Sequence, residues 1–596
     1  MRYRPVKKPA PMPENPYHRI FTPMPSFEDL VRKAREEEKK LKSNKNILIN
    51  IKNRISKRIE NTKYNSYLYA FILGKSSYID NESYNNYKIN GVTHLFALSG
   101  LHVSLFSSII LFILNKLKFN EKTSFIITSI FLIFFSFIAS FTPSILRATI
   151  FFILSSLNKI YYTFIKPKNI LFVTFSILTF INPFYIFDTG FILSFTITYF
   201  ILLLNENTTI KGNIKSILVI SILSFLSSLP IIINFSYEVN IIGFINNILF
   251  IPLVTNIIFP FSLIVIIIPK FSYILFILTS IMETISKYSS NLLNITIYFQ
   301  KLTSLEIIIY YVLLIISIKK NKKLLSILFI FILILYLKPN FDKNTYVYFI
   351  DVSQGDSALI VTKNNKSILI DTGGKLNYKT EKWKQKNKEF NLMTSSVIPF
   401  FKSIGLKKID CLLITHGDAD HAGYALELID NYKVINKYTN KGRKNSLEKK
   451  LNIDSLNSNY LKIDNIEIYS LNDTIYNNEN KDSLVLLIKI YNYKFLFMAD
   501  ADKEVEKTII EKYNLKNIDV LKVGHHGSKT STDESFIEEI TPKYSIVSVG
   551  KNNKFGHPNI ETLNILKNTK ILRTDELGTV KITLNKNKSL IETFEP

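Results

Sequence analysis

The stretch LLITHGDADHAG, residues 412–423, decides how the last part of this chain is read. Its first half is a short apolar run of the kind that forms a buried strand. Its second half places His416, Asp418, Asp420 and His421 within six positions, directly after that strand. Loops converge at strand ends, and Asp and His side chains bind metals when loops hold them together. A single histidine there would read as an ordinary polar loop residue. The wider pattern argues against that reading: the chain has only 8 histidines, and five lie in this final region. Besides His416 and His421 they are His525 and His526 in VGHHGSKTS and His557 in KFGHPN. Each follows a strand-like run, and Asp371 in ILIDTGG and Asp500 in FLFMADAD also end strands.

Outward from this stretch, TYVYFIDV, SALIVTK, KSILIDT, SLVLLIKI, YKFLFMAD and YSIVSVG are further β-rich runs, with helical stretches such as DKEVEKTIIEKY and DESFIEEI between them. Residues 344–596 are therefore expected to form a soluble α/β domain of two sheets covered by helices. Cys411 is the single cysteine, so no intramolecular disulfide exists, and its place in IDCLLIT predicts a small core residue.

Residues 93–340 belong to another class. Apolar runs near 95–114, 124–141, 144–160, 169–187, 189–204, 216–236, 241–269, 271–289, 303–318 and 323–338 alternate with short polar breaks. Many approach the roughly 20 residues needed to cross hydrocarbon, which predicts about ten spans. The 241–269 run contains Pro252 and Pro260 and reads as one tilted helix, two half-helices or a re-entrant pair. The basic loops NKLKFNEK, KIYYTFIKPK, NENTTIKGNIK and KKNKK all fall on one side of a ten-span count, which places them in the cytoplasm and the C-terminal domain outside it. Residues 46–92 read as a polar, partly helical lead-in. Residues 1–45 hold seven of the 19 prolines and read as a disordered tail without the pattern of a signal peptide. The formal charge of +26 suits nucleic acid or acidic lipid, and it also fits a lysine-rich chain with basic cytoplasmic loops.

Within the apolar region, THLFALSGLHVSLF brings His94, Ser99 and His102 near one side of a helix, with Gly91 and Gly100 allowing close approach. Arg147 in PSILRATIFF, and Asp188 and Ser194 in DTGFILSFTITYF, are further polar groups in apolar runs. Such groups face a partner or a water-filled cavity. Helix–helix hydrogen bonding without transport is the plainer reading of the same residues.

The ligand cluster resembles the metallo-β-lactamase fold, an αββα sandwich with the signature His-x-His-x-Asp-His, a later Asp and a later His. Here Asp418 stands where the signature has its second histidine. Carried over by position, His416 and Asp418 belong to a first metal site, and Asp420, His421 and His525 to a second, with Asp500 bridging. No histidine lies between His421 and His525 to complete the first site. The resemblance thus implies one divalent ion held firmly at the second site, or two of unequal affinity with the second site the stronger, and the oxygen-rich set leans toward manganese or magnesium with zinc also admissible. It gives Asp420 the role of partner to an attacking water, sets His557 toward the substrate, and lets Lys529 in GSKTS meet an anionic phosphate.

The whole chain resembles the ComEC family of DNA-internalisation competence proteins. HLFALSGLHV, PSILRA and GFILSF match its membrane motifs in order. FIDVSQGDSALIV, LIDTGG, THGDADHAGY, VGHHGSKTS and SVGKNNKFGHPN match its C-terminal domain. The resemblance implies a multi-pass channel in the cytoplasmic membrane that passes single-stranded DNA, with His94, Ser99, His102 and Arg147 on the path. It also implies an outer nuclease-like domain, contact with membrane lipids, a DNA receptor, a cytoplasmic translocase and self-association. Residues 1–90 lack the early spans and the small OB-like domain usual in that family. Two other readings stay open: a membrane-anchored metallohydrolase of another anionic or ester substrate, and a channel whose lactamase-like domain binds DNA without cutting it.

Overall fold

The computed structural model describes residues 47–207, 213–241, 243–292, 296–319, 323–374, 391–442, 444–586 and 588–594. The tail reading of residues 1–45 lies outside them. The chain divides into two compact units: one holds the chain up to Tyr185 plus Ile245–Asn294, the other Ile186–Phe244 plus the chain from Ile295 onward.

The first unit is helical. Gly100–Lys116, Glu121–Ile138, Pro143–Ile160 and Pro167–Ile181 follow one another through short turns. The apolar run with two prolines resolves into one continuous helical rod. Gly243–Pro252 passes through a π-helical stretch, Leu253–Ile258, into Phe259–Ile267, with helical dihedrals at Pro252 (φ −60°, ψ −39°) and Phe259 (φ −65°, ψ −49°). A wider π turn can absorb the hydrogen bond that a proline removes, so the rod need not break. The polar-looking segment before residue 93 is part of this body. Ser66–Leu73 is buried at every position from Tyr67 to Leu73. Its Leu68, Phe71 and Ile72 pack with Phe250, Val254 and Phe259 of the rod. Asn90 seals the seam, its Nδ2 donating to the Ser286 carbonyl at 2.7 Å, and Asn246 Nδ2 donates in turn to Asn90 Oδ1 at 3.0 Å.

All ten apolar runs contain helix. Among the described residues, five helical segments are long and apolar enough to cross a membrane: Glu121–Ile138, Thr189–Asn207, Leu218–Ser236, Ile245–Ile267 and Leu324–Phe341. Gly100–Lys116 and Pro167–Ile181 are shorter apolar helices. Large apolar side chains such as Phe112, Ile130, Phe180 and Ile267 point outward, as side chains facing lipid do.

The second unit joins helices to the sandwich. Thr189–Asn207, Asn213–Ser236, Ser304–Lys319 and Leu324–Leu337 pack around Phe200, Leu226, Ile233, Tyr310 and Leu328. Two short strands between helices, Glu238–Asn240 and Thr296–Tyr298, pair antiparallel. The α/β part rests on them: Lys402 Nζ bonds Glu238 Oε2 at 2.7 Å and Lys301 N–H donates to the Ser403 carbonyl at 2.9 Å.

The expected two-layered α/β domain is present. Among the described residues one sheet has eight strands and the other seven. The first runs, in spatial order, Ser589–Phe594, Thr579–Leu584, Thr345–Phe349, Ala358–Val361, Ser367–Ile370, Ile409–Ile414, Val434–Thr439 and Asp454–Ser455. The second runs Lys570–Arg573, Tyr544–Val547, Val520–Lys522, Tyr493–Phe497, Leu486–Ile490, Ile466–Ser470 and Tyr460–Ile463. Strand alternation sorts the side chains between layers. Val347, Phe349, Ile368, Ile370, Cys411 and Leu413 meet Ile468, Ile488, Phe495, Phe497 and Ile546 between the sheets. Tyr348, Leu369 and Leu412 face outward against Phe401, Ala425 and Leu428 of the covering helices. The other sheet turns Leu496 and Leu521 against Val505, Ile509 and Phe536. Cys411 is the core residue its strand predicted. Each ligand-bearing loop leaves a strand at one end of this sandwich.

Candidate metal centre

The strand Ile409–Ile414 delivers Thr415 and His416 into the sandwich end, and the turn Ala419–Ala422 then returns His421 beneath them. Glycines make this tight loop possible. A Cβ on Gly374 or Gly423 would collide with the Ala419 carbonyl oxygen, and one on Gly355, at φ +138°, would collide with that of Asp420. The backbone is held from both sides: Asp356 N–H donates to Asp420 O at 3.0 Å and Thr372 N–H to His421 O at 2.7 Å.

His416, His421 and Asp500 converge with ligand atoms within 4.8 Å of one another. His421 Nε2 lies 3.0 Å from Asp500 Oδ1, and His416 Nε2 lies 3.8 Å from Asp500 Oδ2. All three residues are buried, His421 Nε2 and Asp500 Oδ1 have only each other as a polar neighbour at 3.0 Å, and His416 Nε2 has no hydrogen-bond partner. Buried polar atoms left without partners are costly, so a shared cation is the natural partner for this set. The other ring nitrogens are already engaged. His421 Nδ1 is 2.8 Å from Asp371 Oδ2, and Thr415 holds the same carboxylate through its N–H and its Oγ1, each at 2.8 Å. A carboxylate on Nδ1 fixes the tautomer that leaves Nε2 for a metal. The residues present therefore fit a divalent metal.

A second convergence joins Asp420, His421 and His526. His526 Nε2 is 3.2 Å from Asp420 Oδ2, while its Nδ1 reaches the Ser548 carbonyl at 3.0 Å and Asp356 Oδ1 at 3.2 Å. Asp356 in turn meets Lys522 Nζ at 2.7 Å, a buried ammonium at the end of its strand. Burial disfavours charge on Asp356, but Lys522 and then His526 hold it well below the usual carboxylate range. Burial also opposes ionisation of Asp500, which His421, His526 and His416 overcome.

The structure brings most of the sequence candidates together. Asp418 stands half-exposed with Oδ2 3.6 Å from His416 Nε2. His525 Nε2 lies 3.7 Å from Asp500 Oδ2 and its side chain is 29% exposed, against 2% for His526. His557 lies beside them, its ring centroid 6.1 Å from that of His525 and tilted by 59° to it. Burial, followed by the charges of His526 and His525, pushes its imidazole down. Lys529 is exposed on the following loop. The sequence reading named His526 beside His525 but gave the ligand role to His525, and it passed over Asp356 and Lys522. The signals were a histidine doublet, an acid in QGDS and a lone lysine in an apolar strand. Backbone strain marks the same places: Asp371, Ala499, His525 and His526 adopt φ of 56°, 49°, 49° and 53°, the left-handed region that side-chain-bearing residues enter at a cost.

Glu506 anchors the far end of the VGHHGSKTST loop. Its carboxylate accepts the N–H groups of Thr532 and Asp533, both at 2.7 Å. It is 1% exposed, and burial raises its pKa to about 7 despite those two bonds. A carboxyl raised this way keeps its proton in the folded state above the pH at which the unfolded chain loses it. Stability is then fully present below pH ~4.5 and falls as pH rises through 7, by up to about 3 kcal/mol. Thermal unfolding of the protein from pH 4.5 to 7.5 is expected to show this decline, and Glu506→Gln to flatten it.

His94, Ser99, His102 and Arg147 belong to the first, helical unit and Asp188 to the second, and His94 is not on the helix that carries His102. Ser99 and His102 close a capping box at the start of Gly100–Lys116: Ser99 N–H donates to His102 Nδ1 at 3.1 Å. The His102 ring packs edge-on to Phe259, with centroids 4.4 Å apart. Arg147 is buried, and its guanidinium occupies the space that a Cβ on Gly100 would enter. His94 is exposed on the turn Thr93–Leu95. Asp188 caps its own helix by accepting the Phe191 N–H at 2.6 Å.

Comparison with known proteins agrees with both halves. Residues 71–324 match the family described as Competence protein, and residues 350–551 match the Metallo-beta-lactamase superfamily. ComE operon protein 3 of Bacillus subtilis (strain 168) is 26% identical over 562 residues, 88% of this chain and 72% of that protein. Recombination protein 2 of Haemophilus influenzae is 28% identical over 43% of this chain and 30% of its own length. Competence protein ComA of Neisseria gonorrhoeae is 26% identical over 40% of this chain and 32% of its own length.

Proposed function

We propose that this chain, a member of the ComEC family of competence proteins with a metallo-β-lactamase-fold domain, moves single-stranded DNA across the cytoplasmic membrane. In this reading residues 93–340 form the passage, supported by the buried helices of 46–92, and residues 344–596 form a metal-dependent phosphodiester hydrolase outside it. The observation that carries the reading is the buried convergence of His416, His421 and Asp500 on a chain that also carries a Competence domain.

His416, His421 and Asp500 would hold one divalent ion, and Asp420 and His526, with His421 between the groups, a second. Asp418 and His525 stand at the exposed edge of the set. Manganese, magnesium or zinc would supply Lewis acidity toward a phosphoryl oxygen and a more acidic water. Asp420 would orient that water and take its proton. His557 would face the substrate, and Lys529 would meet a non-bridging phosphate oxygen. Lys522 and Asp356 would act behind His526, fixing its ring.

The partners this role requires are a DNA receptor outside the membrane, a translocase on the cytoplasmic side, and further copies of the chain. The direct test is uptake of labelled DNA by a transformable host whose own family member is deleted and replaced by this chain. Restored uptake supports the reading, and none at normal protein level refutes it.

The orientation has its own check. With ten spans, the basic loops would put residue 344 onward outside. A cysteine at exposed Lys449, in a Cys411→Ser background, is expected to react with a membrane-impermeant maleimide in intact cells. Reaction only after lysis would reverse the topology.

A further inference from the structure

The first described helix, Ile47–Glu60, has the sequence ILINIKNRISKRIE. Ile59 is buried and Ile51 and Ile55 are half-buried, whereas Arg54, Lys57 and Arg58 are exposed. A helix with an apolar stripe and a basic face suits the plane of a membrane surface. Its last turn closes the end of Phe259–Ile267, where Arg58 donates from Nε to the Ile266 carbonyl and from Nη2, at 2.7 Å, to that of Ile267. These are carbonyls that a helix end leaves without intrahelical partners, so the contact marks where the apolar rod stops.

Between this turn and the bend after the rod lies a cavity of about 420 Å³, lined by Arg54, Lys57, Arg58, Asn61, Thr62 and Pro269. The lining carries three cations and two uncharged polar side chains, with no carboxylate. Large apolar and aromatic side chains flank it in the chain: Tyr64, Ile267, Phe271 and Tyr273 are 46%, 71%, 40% and 59% exposed. The Tyr64 ring stacks on Phe276 with centroids 4.4 Å apart. Exposed tyrosines at helix ends are characteristic of the membrane–water boundary.

We propose that this cavity holds the phosphate headgroup of an anionic phospholipid. Arg54 and Lys57 supply free cationic donors for phosphate oxygens, the Asn61 amide supplies an uncharged one, and Arg58 remains the structural cap; the Thr62 hydroxyl already donates to the Arg58 carbonyl at 2.8 Å. The acyl chains would lie along Ile267, Phe271 and Tyr273. This apolar flank separates a lipid from a nucleic-acid strand, which presents phosphates without an attached hydrocarbon. The proposal rests on the membrane location of the helices and not on DNA transport.

The test uses the full-length protein in mixed micelles containing phosphatidylglycerol and phosphatidylcholine in equal amounts, with bound lipid read by native mass spectrometry. The wild-type protein is expected to retain phosphatidylglycerol preferentially. Arg54→Gln with Lys57→Gln should cut that preference roughly 30-fold, the effect of removing two surface cations from an anionic headgroup. An unchanged preference in the double variant, at an unchanged thermal transition, would overturn the proposal. So would equal retention of the two lipids by wild type, a result that needs no variant to fold. Displacement of phosphatidylglycerol by a single-stranded oligonucleotide whose binding the double variant loses would reassign the cavity to nucleic acid.

Discussion

Replacing His421 with alanine is expected to abolish metal retention by the purified full-length protein. His421 is shared by both convergent groups, so its loss removes a ligand from each. It also leaves Asp371 and Asp500 buried without the imidazole that now sits between them. Stripping one partner from a buried charged set costs about 3–5 kcal/mol, so a lower thermal transition should accompany the metal loss. Asp371→Asn isolates the orienting role. It keeps the shape, removes the charge behind His421 Nδ1 and turns one of two accepting oxygens into an NH2 group, and is expected to weaken metal binding by roughly 10–100-fold. His525→Ala and His526→Ala then rank the doublet: the buried His526, 3.2 Å from Asp420, should matter more than the partly exposed His525. Elemental analysis after dialysis checks all four. Stoichiometric metal in His421→Ala would mean that the centre is built elsewhere, and a larger loss in His525→Ala than in His526→Ala would invert the ligand assignment.

The centre was partly legible because its chemistry is local. His416, Asp418, Asp420 and His421 come from one loop after one strand, and scarcity made the histidines conspicuous. Asp371 and Asp500 could be added because each ends a β-rich run. What the residues could not reveal was which neighbour of a doublet turns inward. His525 and His526 both sit at positive φ, so ordinary strand alternation does not sort them. Nor could they reveal the support behind His526, since Asp356 and Lys522 are 166 residues apart and meet only through sheet packing. The helical runs were legible from hydrophobic length alone, including the 241–269 run, although its continuity through Leu253–Ile258 depended on a π turn that has no sequence signature. The segment before residue 93 is partly helical as its sequence reads, but its burial was not legible, for a physical reason. SYLYAFIL is only eight residues long, too short to register as a span, yet short helices are fully buried once longer ones surround them.

Arg147→Ala and His102→Ala are expected to reduce DNA entry roughly 10–100-fold, the range set by the loss of one charge-assisted hydrogen bond of about 1.5–3 kcal/mol. A polyanion crossing a low-dielectric layer needs a wet path with polar or positive walls, and these are among the few such groups in the apolar helices. The geometry also gives each residue a structural occupation, so the substitution to alanine does not by itself separate the two roles. His102 caps its helix through Nδ1, and glutamine at that position of a capping box performs the same service. His102→Gln should therefore restore uptake if capping is what matters and leave it impaired if the imidazole faces the path. For Arg147, lysine keeps the charge and loses the planar fork. Uptake retained in Arg147→Lys points to a wall that only needs to be positive, and uptake lost points to a guanidinium locked beside Gly100. Gly100→Ala supplies an independent reading, because its new Cβ would push into the guanidinium. It should mimic Arg147→Ala without touching the charge. DNA uptake measured against protein level in membranes discriminates among these outcomes. Normal uptake in both alanine variants at normal abundance would remove the reason for regarding this part of the bundle as a passage.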